Sequence, residues 1–361
     1  MSLKTEFPQV LSQSVAERIR LGHKLASVKQ QVAQAISDEF FLTHPEWVDR
    51  YGEKGRRFCT ADACFHIEFL AGAIEAGSPE AFGDYARWTA RMLAARGIAA
   101  HTLQENLAQL EKHLSLALLA TDSGPILMFL AEGRQACTES GSVSETQPPD
   151  DQLKVTRNVF LAAILAGQRP GALSIVEEAL RAGHSHTDIY VDVFDESLRR
   201  VGELWEQNKI SVAQEHMATA ITQYAIAAIY PRLIPVASDR GAMVVTGVAG
   251  EMHQIGANLV ADAMEAQGWR VRFLGSNLPH SSVLAAIKEC SANVLCISTT
   301  IVANLPSVVE LVETVRNNLS EHVPRIVLGG AAYRRAPQFA KEIGAAEAIP
   351  DLRQALAILC A

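Results

Sequence analysis

The chain reads Gly250-Glu251-Met252-His253-Gln254-Ile255-Gly256 between two segments of different periodicity. The preceding run Met243–Val248 is apolar and rich in β-branched residues, which is typical of a buried strand. Residues 257–267 follow with apolar positions at helical spacing. A strand, a polar loop and a helix in this order predict the first unit of a doubly wound parallel sheet, where ligands bind beyond the carboxyl ends of the strands.

The same alternation continues to the end of the sequence. Three further short apolar runs, each followed by an amphipathic stretch, are Val271–Leu274, Val294–Ser298 and Arg325–Leu328. Residues 238–361 are therefore predicted to form a Rossmann-like α/β domain.

The loops after three of these strands carry chemically distinctive residues. His253 on such a loop can present its distal nitrogen to a metal, and the carboxylate of Glu251 can orient the ring. After Gly256 come 41 residues and then Ser298-Thr299-Thr300, and 28 residues separate Thr300 from Gly329-Gly330. Paired glycines permit a close approach of the backbone to a ligand. An isolated histidine in this position would be interpreted as an ordinary polar loop residue, so the prediction depends on the spacing.

This spacing resembles the cobalamin-binding signature of the methionine synthase and methylmalonyl-CoA mutase superfamily. The resemblance implies that His253 is the lower axial ligand of cobalt and that the segment Glu251–Gly256 contacts the cofactor. It places Ser298 and Thr300 beside the displaced nucleotide tail, and it implies that Gly329 and Gly330 leave room for that tail. Many members have Asp two residues before the histidine, whereas this chain has Glu251, as in the adenosylcobalamin photoreceptors of the CarH type.

The segment before the α/β domain supports the photoreceptor subset. Residues 152–237 contain four helical stretches, at about 152–167, 170–183, 186–207 and 211–235, which predict a four-helix bundle. Within it, Trp205 is followed after nine residues by Glu215-His216. These residues resemble the cap motif of CarH-type photoreceptors, in which Trp and Glu pack around the adenosyl group. The resemblance implies that His216 becomes the upper cobalt ligand after light breaks the cobalt–carbon bond.

Residues 1–140 are predicted to form an all-helical domain of six or seven helices, with breaks near Gly52, Gly77, Gly97 and Gly124-Pro125. Its aromatic, arginine and histidine residues resemble the bilin-binding part of photocobilins, which combine cobalamin with biliverdin. The candidate bilin-binding residues are Arg56, Arg57, His66, Tyr85 and Trp88. A globin-like haem sensor with His66 as axial ligand and a domain that only binds other proteins both remain open. The polar segment 141–151 is predicted to be a linker.

Composition narrows the class of protein. The 361 residues contain 32 Lys and Arg against 40 Asp and Glu, so a net charge of −8 disfavours direct binding of nucleic acid. The six cysteines lack a framework spacing, and no apolar stretch is long enough to span a membrane, so a cytoplasmic protein is predicted.

The sequence thus predicts a light sensor, not an enzyme, that binds adenosylcobalamin and biliverdin. We expect a homo-oligomer whose assembly changes with light and which signals to an unidentified downstream protein. Two alternatives are a corrinoid carrier for methyl transfer and a haem-containing, globin-like sensor fused to a cobalamin domain.

Overall fold

A computed structural model describes residues 13–138, 152–233, 236–237, 239–319 and 322–361. The linker predicted at 141–151 lies outside these residues. The chain divides into two compact units. The described N-terminal helices form the first unit together with residues 299–313 and 331–345, and the remaining described residues form the second. Two loop-and-helix segments of the predicted α/β block therefore group with the N-terminal helices.

Residues 13–138 form five helices and not the six or seven predicted. They are α1 (Val15–Thr43), α2 (Pro45–Glu75), α3 (Pro79–Ala95), α4 (Ala100–Ala117) and α5 (Ala120–Thr138). Two of the predicted breaks lie inside helices. Gly52 has φ of 54° and kinks α2 without ending it. Pro125 lies in the second turn of α5, where it removes one backbone hydrogen bond while the helix continues.

The remaining predicted breaks in this region are confirmed as helix ends. Ser78 caps α3 with its side chain, which accepts from the backbone N–H of Ala81. Gly77 and Gly97 both have positive φ, as expected of residues that terminate helices. One continuous buried cluster, including Leu25, Leu70 and Phe129, holds the five helices together.

The predicted four-helix bundle (the cap, residues 154–229) is confirmed in the second unit. Its elements are α6 (Lys154–Leu165), α7 (Arg169–Arg181), α8 (His186–Asp188), a π-helical stretch (Ile189–Asp195), α9 (Glu196–Glu206) and α10 (Val212–Ile229). The stretch from α8 to α9 forms one of the four predicted helical segments. Arg157 is buried and donates from one terminal nitrogen to the backbone oxygen of Asp192, which lies in the π-helical stretch.

The C-terminal region contains the predicted parallel sheet. Its strands are β1 (Ala242–Gly247), β2 (Arg270–Phe273), β3 (Val294–Ser298), β4 (Arg325–Gly329) and β5 (Glu347–Ile349). The helices of this region are α11 (Ile255–Ala266), α12 (His280–Cys290), α13 (Leu305–Asn318), α14 (Phe339–Glu342) and α15 (Leu352–Leu359). The strand order is β2-β1-β3-β4-β5, and all pairs are parallel.

The strand order explains why the apolar runs were recognisable. All six residues of β1 are buried, because β1 lies inside the sheet and helices α11 and α12 pack against it. Strand β5 lies at the sheet edge and has only three residues, which is too short for a periodic signal, so the sequence does not predict it. Among the described residues, none of the helices combines the length and the apolar character that a membrane crossing requires.

Candidate cofactor-binding site

Three strand ends lie side by side at the carboxyl edge of the sheet. Gly247 of β1 is in register with Ser298 of β3, and Ser298 is in register with Gly329 of β4. Strands β1 and β3 are neighbours although β2 lies between them in sequence, so this row lies where the strand order reverses. The sheet therefore brings together the predicted residues Ser298 and Gly329. It adds Gly247, which lies within the predicted strand Met243–Val248 and carries no sign of a binding role in the sequence.

The glycines near this row leave space around the backbone. A methyl group added at Gly329 would lie 3.5 Å from the backbone oxygen of Ile349, which is an ordinary contact. One added at Gly256 would have no heavy atom within 4 Å. Gly330 has φ of 104°, a backbone conformation that other residues rarely adopt. These positions fit a site that admits a narrow ligand group beside the strand ends.

A buried carboxylate orients the predicted metal ligand. The Glu251 side chain is fully buried, and its Oε1 accepts from the backbone N–H of His253 at 2.9 Å and pairs with Nδ1 of the same ring at 2.6 Å. This arrangement assigns the proton to Nδ1 and leaves Nε2 for another partner. The His253 side chain is 56% exposed, so the ring is accessible. The pair has the geometry expected of a metal-binding histidine with its orienting carboxylate.

Nearby negative charges also change the pKa of His253. The hydrogen bond to Glu251, and then the negative charges of Glu251 and of Glu215 in the cap, raise the pKa of His253 above its ordinary value, while burial opposes them. Glu215 and His253 are thus close enough to interact, although they belong to different predicted domains.

A proton that binds Nε2 of His253 would compete with a metal for that atom, so the pKa of the ring is a testable property of the site. In the cofactor-free protein, the ring should titrate above its ordinary pKa of about 6.5, and Glu251→Gln should lower that pKa because the charged acceptor is lost. Any stabilisation from the charged pair should be complete below pH of about 6.5 and should fade as the pH rises through the higher folded-state value. NMR titration of the imidazole nitrogens measures this, and an unchanged pKa in Glu251→Gln would contradict the assignment.

The other residues of the predicted segment Glu251–Gly256 have different environments. Met252 is 74% exposed, and Gln254 is also exposed. Ile255 begins α11 and packs against the buried cluster that includes the core of the bundle. Ile255 therefore connects the loop to the bundle.

The cap residues lie on two consecutive helices. Trp205 is half-buried near the end of α9, and Glu215 and His216 lie in the first turn and a half of α10. Ser211 starts α10 with a capping box that includes Gln214. Glu215 accepts from Thr219 Oγ1 at 3.1 Å and also pairs with Nδ1 of His216, whose side chain is 76% exposed. His216 is therefore accessible, as an upper ligand would need to be.

The region after β3 divides between the two units. Ser298 ends β3 in the second unit, whereas Thr300 belongs to the first unit and is half-buried there. Its neighbour Thr299 is fully buried and accepts from the hydroxyl of Tyr333 at 3.2 Å.

The five candidate bilin residues do not form one cluster. His66 is buried, and its Nδ1 lies 2.7 Å from the hydroxyl of Tyr85. Tyr85 stacks on Phe69, and its ring centre lies 6.4 Å from that of Trp88. Burial lowers the pKa of His66 to about 4, so the ring is neutral.

The two arginines lie elsewhere on α2. The Arg56 guanidinium lies 4.7 Å from the centre of the Phe41 ring, and Arg57 is exposed. His66 lies ten positions after Arg56 in α2, which corresponds to roughly 15 Å along the helix axis. The structure therefore brings together His66, Tyr85 and Trp88 but not the pair of arginines.

Two family models match the region that contains the site. Residues 156–230 and residues 241–359 each match a B12 binding domain. Within the described part of the chain, no group of three His, Cys, Asp or Glu residues could hold a bare metal ion. The two matched domains, the strand-end row and the Glu251–His253 pair define a cobalamin-binding protein.

Among known proteins, the chain is similar to dimethylamine corrinoid protein 1 of Methanosarcina acetivorans, with 26% identity over 187 residues that cover 51% of this chain and 85% of the relative. It is also similar to the HTH-type transcriptional repressor CarH of Myxococcus xanthus, with 24% identity over 228 residues that cover 63% of this chain and 74% of the repressor. The structure of the Methanosarcina barkeri monomethylamine corrinoid protein shares the fold, with a TM-score of 0.52, 20% identity, and coverage of 58% of this chain and 98% of that protein.

Proposed function

We propose that this protein is a corrinoid carrier for methyl transfer, which holds its cofactor with His253 as the lower ligand. The observation that carries this proposal is the Glu251–His253 pair next to the row Gly247, Ser298 and Gly329. The methylamine corrinoid proteins add support, because the similarity extends over most of their length. The sequence predicts the light sensor first and the carrier as its alternative, and these relatives favour the carrier.

The chain's own residues have defined roles in this proposal. A bound corrinoid would supply a cobalt atom that carries an exchangeable upper ligand. Glu251 fixes the ring orientation and tautomer of His253, and Gly329 and Gly330 leave room for the nucleotide tail. A carrier also needs a methyltransferase partner.

One observation favours a second function, an adenosylcobalamin light sensor. The cap contains Trp205 and the Glu215–His216 pair, and a large polar upper ligand suits these residues better than a methyl group does. The similarity to CarH adds support. If the protein is a light sensor, we expect a homo-oligomer whose assembly changes with light. We also expect the five N-terminal helices to contact a downstream protein.

The light-sensor hypothesis includes biliverdin as a second chromophore. The aromatic and histidine cluster His66, Tyr85 and Trp88 supports it, since flat conjugated ligands stack on aromatic rings. The burial of His66 and its bond to Tyr85 mean that a bilin or a haem would have to displace an existing contact. Retention of biliverdin or haem by the purified chain tests this directly.

One reconstitution experiment separates the two functions. The full chain is loaded in darkness with methylcobalamin or adenosylcobalamin, and absorption, molecular mass and cofactor retention are measured before and after illumination. A carrier retains either form without a light-driven change of mass, and it accepts or donates methyl groups with a corrinoid methyltransferase. A mass change that requires both adenosylcobalamin and light supports the sensor. Failure to retain any corrinoid contradicts both functions.

His216→Ala tests the upper-ligand role in the sensor. The dark complex should keep its affinity, because His216 has no role there. The illuminated product should lose its corrinoid at least about tenfold faster, which corresponds to roughly 1.4 kcal/mol. Dialysis of illuminated samples measures the loss, and His184→Ala replaces a different cap histidine as a control. Equal loss from the native protein and His216→Ala would remove His216 from the mechanism.

A further inference from the structure

The pairing between β1 and β2 continues beyond the strands into the loop that carries His253. Leu274 N–H donates to the backbone oxygen of Val245 at 3.0 Å, and Gly247 N–H donates to Gly275 at 2.9 Å. The next bond runs from the N–H of Asn277 to the oxygen of Val248 at 3.1 Å. The loop after β2 therefore runs alongside the loop after β1.

The last connection in this series uses a side chain. Asn277 Oδ1 accepts from the backbone N–H of Gly250 at 2.9 Å. Asn277 thus contacts the loop twice, once through its own N–H to Val248 and once through its amide oxygen to Gly250. The N–H of Glu251 in turn donates to Val248 at 3.1 Å. These bonds hold the three residues that lead directly to the buried carboxylate of Glu251.

The backbone at this point requires particular residue types. Asn277 has φ of 61° and Gly250 has φ of 84°, and Asn is among the few residues other than Gly that adopt this conformation readily. A methyl group added at Gly247 would lie 2.3 Å from Ser276 Oγ, so the close approach of β1 to the loop after β2 requires a glycine there. Asn277 therefore satisfies two requirements, a left-handed backbone and an acceptor for Gly250.

We propose that Asn277 is a positioning residue that fixes the loop Val248–Glu251 and, through Glu251, the orientation of the His253 ring. This inference rests on the proposed role of His253 as a cobalt ligand. In this proposal Asn277 acts on the ring through Glu251, because its amide oxygen bonds to Gly250 and its own N–H bonds to Val248.

Three substitutions separate the side-chain acceptor from the backbone conformation. Asn277→Asp keeps an acceptor oxygen, Asn277→Gly keeps the conformation but removes the acceptor, and Asn277→Ala removes both. Asn208 also has a positive φ, 55°, and lies in a turn of the cap, so Asn208→Ala is the matched control. Circular dichroism establishes that each variant folds.

Two measurements report on His253 without an activity assay. In the cofactor-free protein, ¹⁵N NMR gives the fraction of His253 with its proton on Nδ1. In protein loaded with cob(II)alamin, electron paramagnetic resonance gives the ratio of nitrogen-ligated to unligated cobalt. We expect Asn277→Ala and Asn277→Gly to lower this ratio about three- to tenfold, less than the 10- to 100-fold typical of direct partners of a metal ligand. Asn277→Asp and Asn208→Ala should stay within about twofold of the native ratio.

The outcomes distinguish this inference from the proposed function. If Asn277→Gly matches the native protein, the amide oxygen has no positioning role and the inference is wrong, even if Asn277→Ala is impaired by backbone strain. If the native protein retains corrinoid without a nitrogen ligand, the role of His253 fails, while a changed tautomer fraction in cofactor-free Asn277→Gly still supports the link from Asn277 to His253. An unchanged tautomer fraction in that variant overturns the link.

Discussion

His253→Ala is expected to lower the affinity for cobalamin at least about a hundredfold, because even the loss of an orienting partner of a metal ligand costs 10- to 100-fold. The variant should fold normally, since the ring is 56% exposed and contributes little to the core. Equilibrium dialysis measures the affinity, and electron paramagnetic resonance of the cob(II)alamin form should show no histidine nitrogen on cobalt. Free imidazole should restore a nitrogen ligand to the variant.

His322→Ala is the matched control for this experiment. His322 is an exposed histidine of the same α/β region, so its loss should change neither affinity nor spectrum. If His253→Ala binds cobalamin with native affinity and an unaltered spectrum, another residue or none is the lower ligand. The Glu251–His253 pair would then be an ordinary hydrogen bond of a polar loop.

Gly329→Val is expected to affect cobalamin and cobinamide differently. Gly329 lies in register with Ser298, and its backbone leaves only ordinary contact distance, 3.5 Å, between an added methyl group and the oxygen of Ile349. The folded chain should therefore accept a larger side chain, but a ligand group that occupies the same space should not. Overpacking costs typically about 1–3 kcal/mol, so we expect the affinity for cobalamin to fall about 5- to 150-fold.

Cobinamide provides the internal control, because it has the corrin ring but lacks the nucleotide tail. Its affinity for Gly329→Val should stay within about twofold of its affinity for the native protein, and thermal unfolding should show that the variant is folded. An equal loss of affinity for both corrinoids would mean that Gly329 supports the fold of the site. No loss for either would mean that the tail passes elsewhere.

The secondary structure was predictable where the signal is local. The buried run Met243–Val248 and the helical periodicity that follows it reveal a strand and a helix without knowledge of their neighbours. The predicted helix ends were wrong where tertiary packing outweighed a local signal. The sequence predicts helix ends at Gly52 and Pro125, yet both residues lie inside helices that packing in the N-terminal core stabilises.

The candidate site was predictable in its residues but not in its contacts. Glu251 and His253 are two residues apart, so their hydrogen bond follows from the loop itself. The influence of Glu215 on His253 joins residues 38 positions apart, and no periodicity reveals it. Likewise, the sequence marks His66 as a candidate ligand, whereas its burial against Tyr85 depends on how α2 and α3 pack.

By itself, the sequence determined the four-helix bundle, the parallel α/β domain and the loop that carries His253, because hydrophobic periodicity and short-range spacing are properties of consecutive residues. Only the tertiary structure decided that Gly247, Ser298 and Gly329 form one row and that Asn277 supports the loop of His253. The physical reason is that strand order, register and burial arise from hydrogen bonds and packing between segments distant in sequence. Those contacts form only when the sheet is assembled.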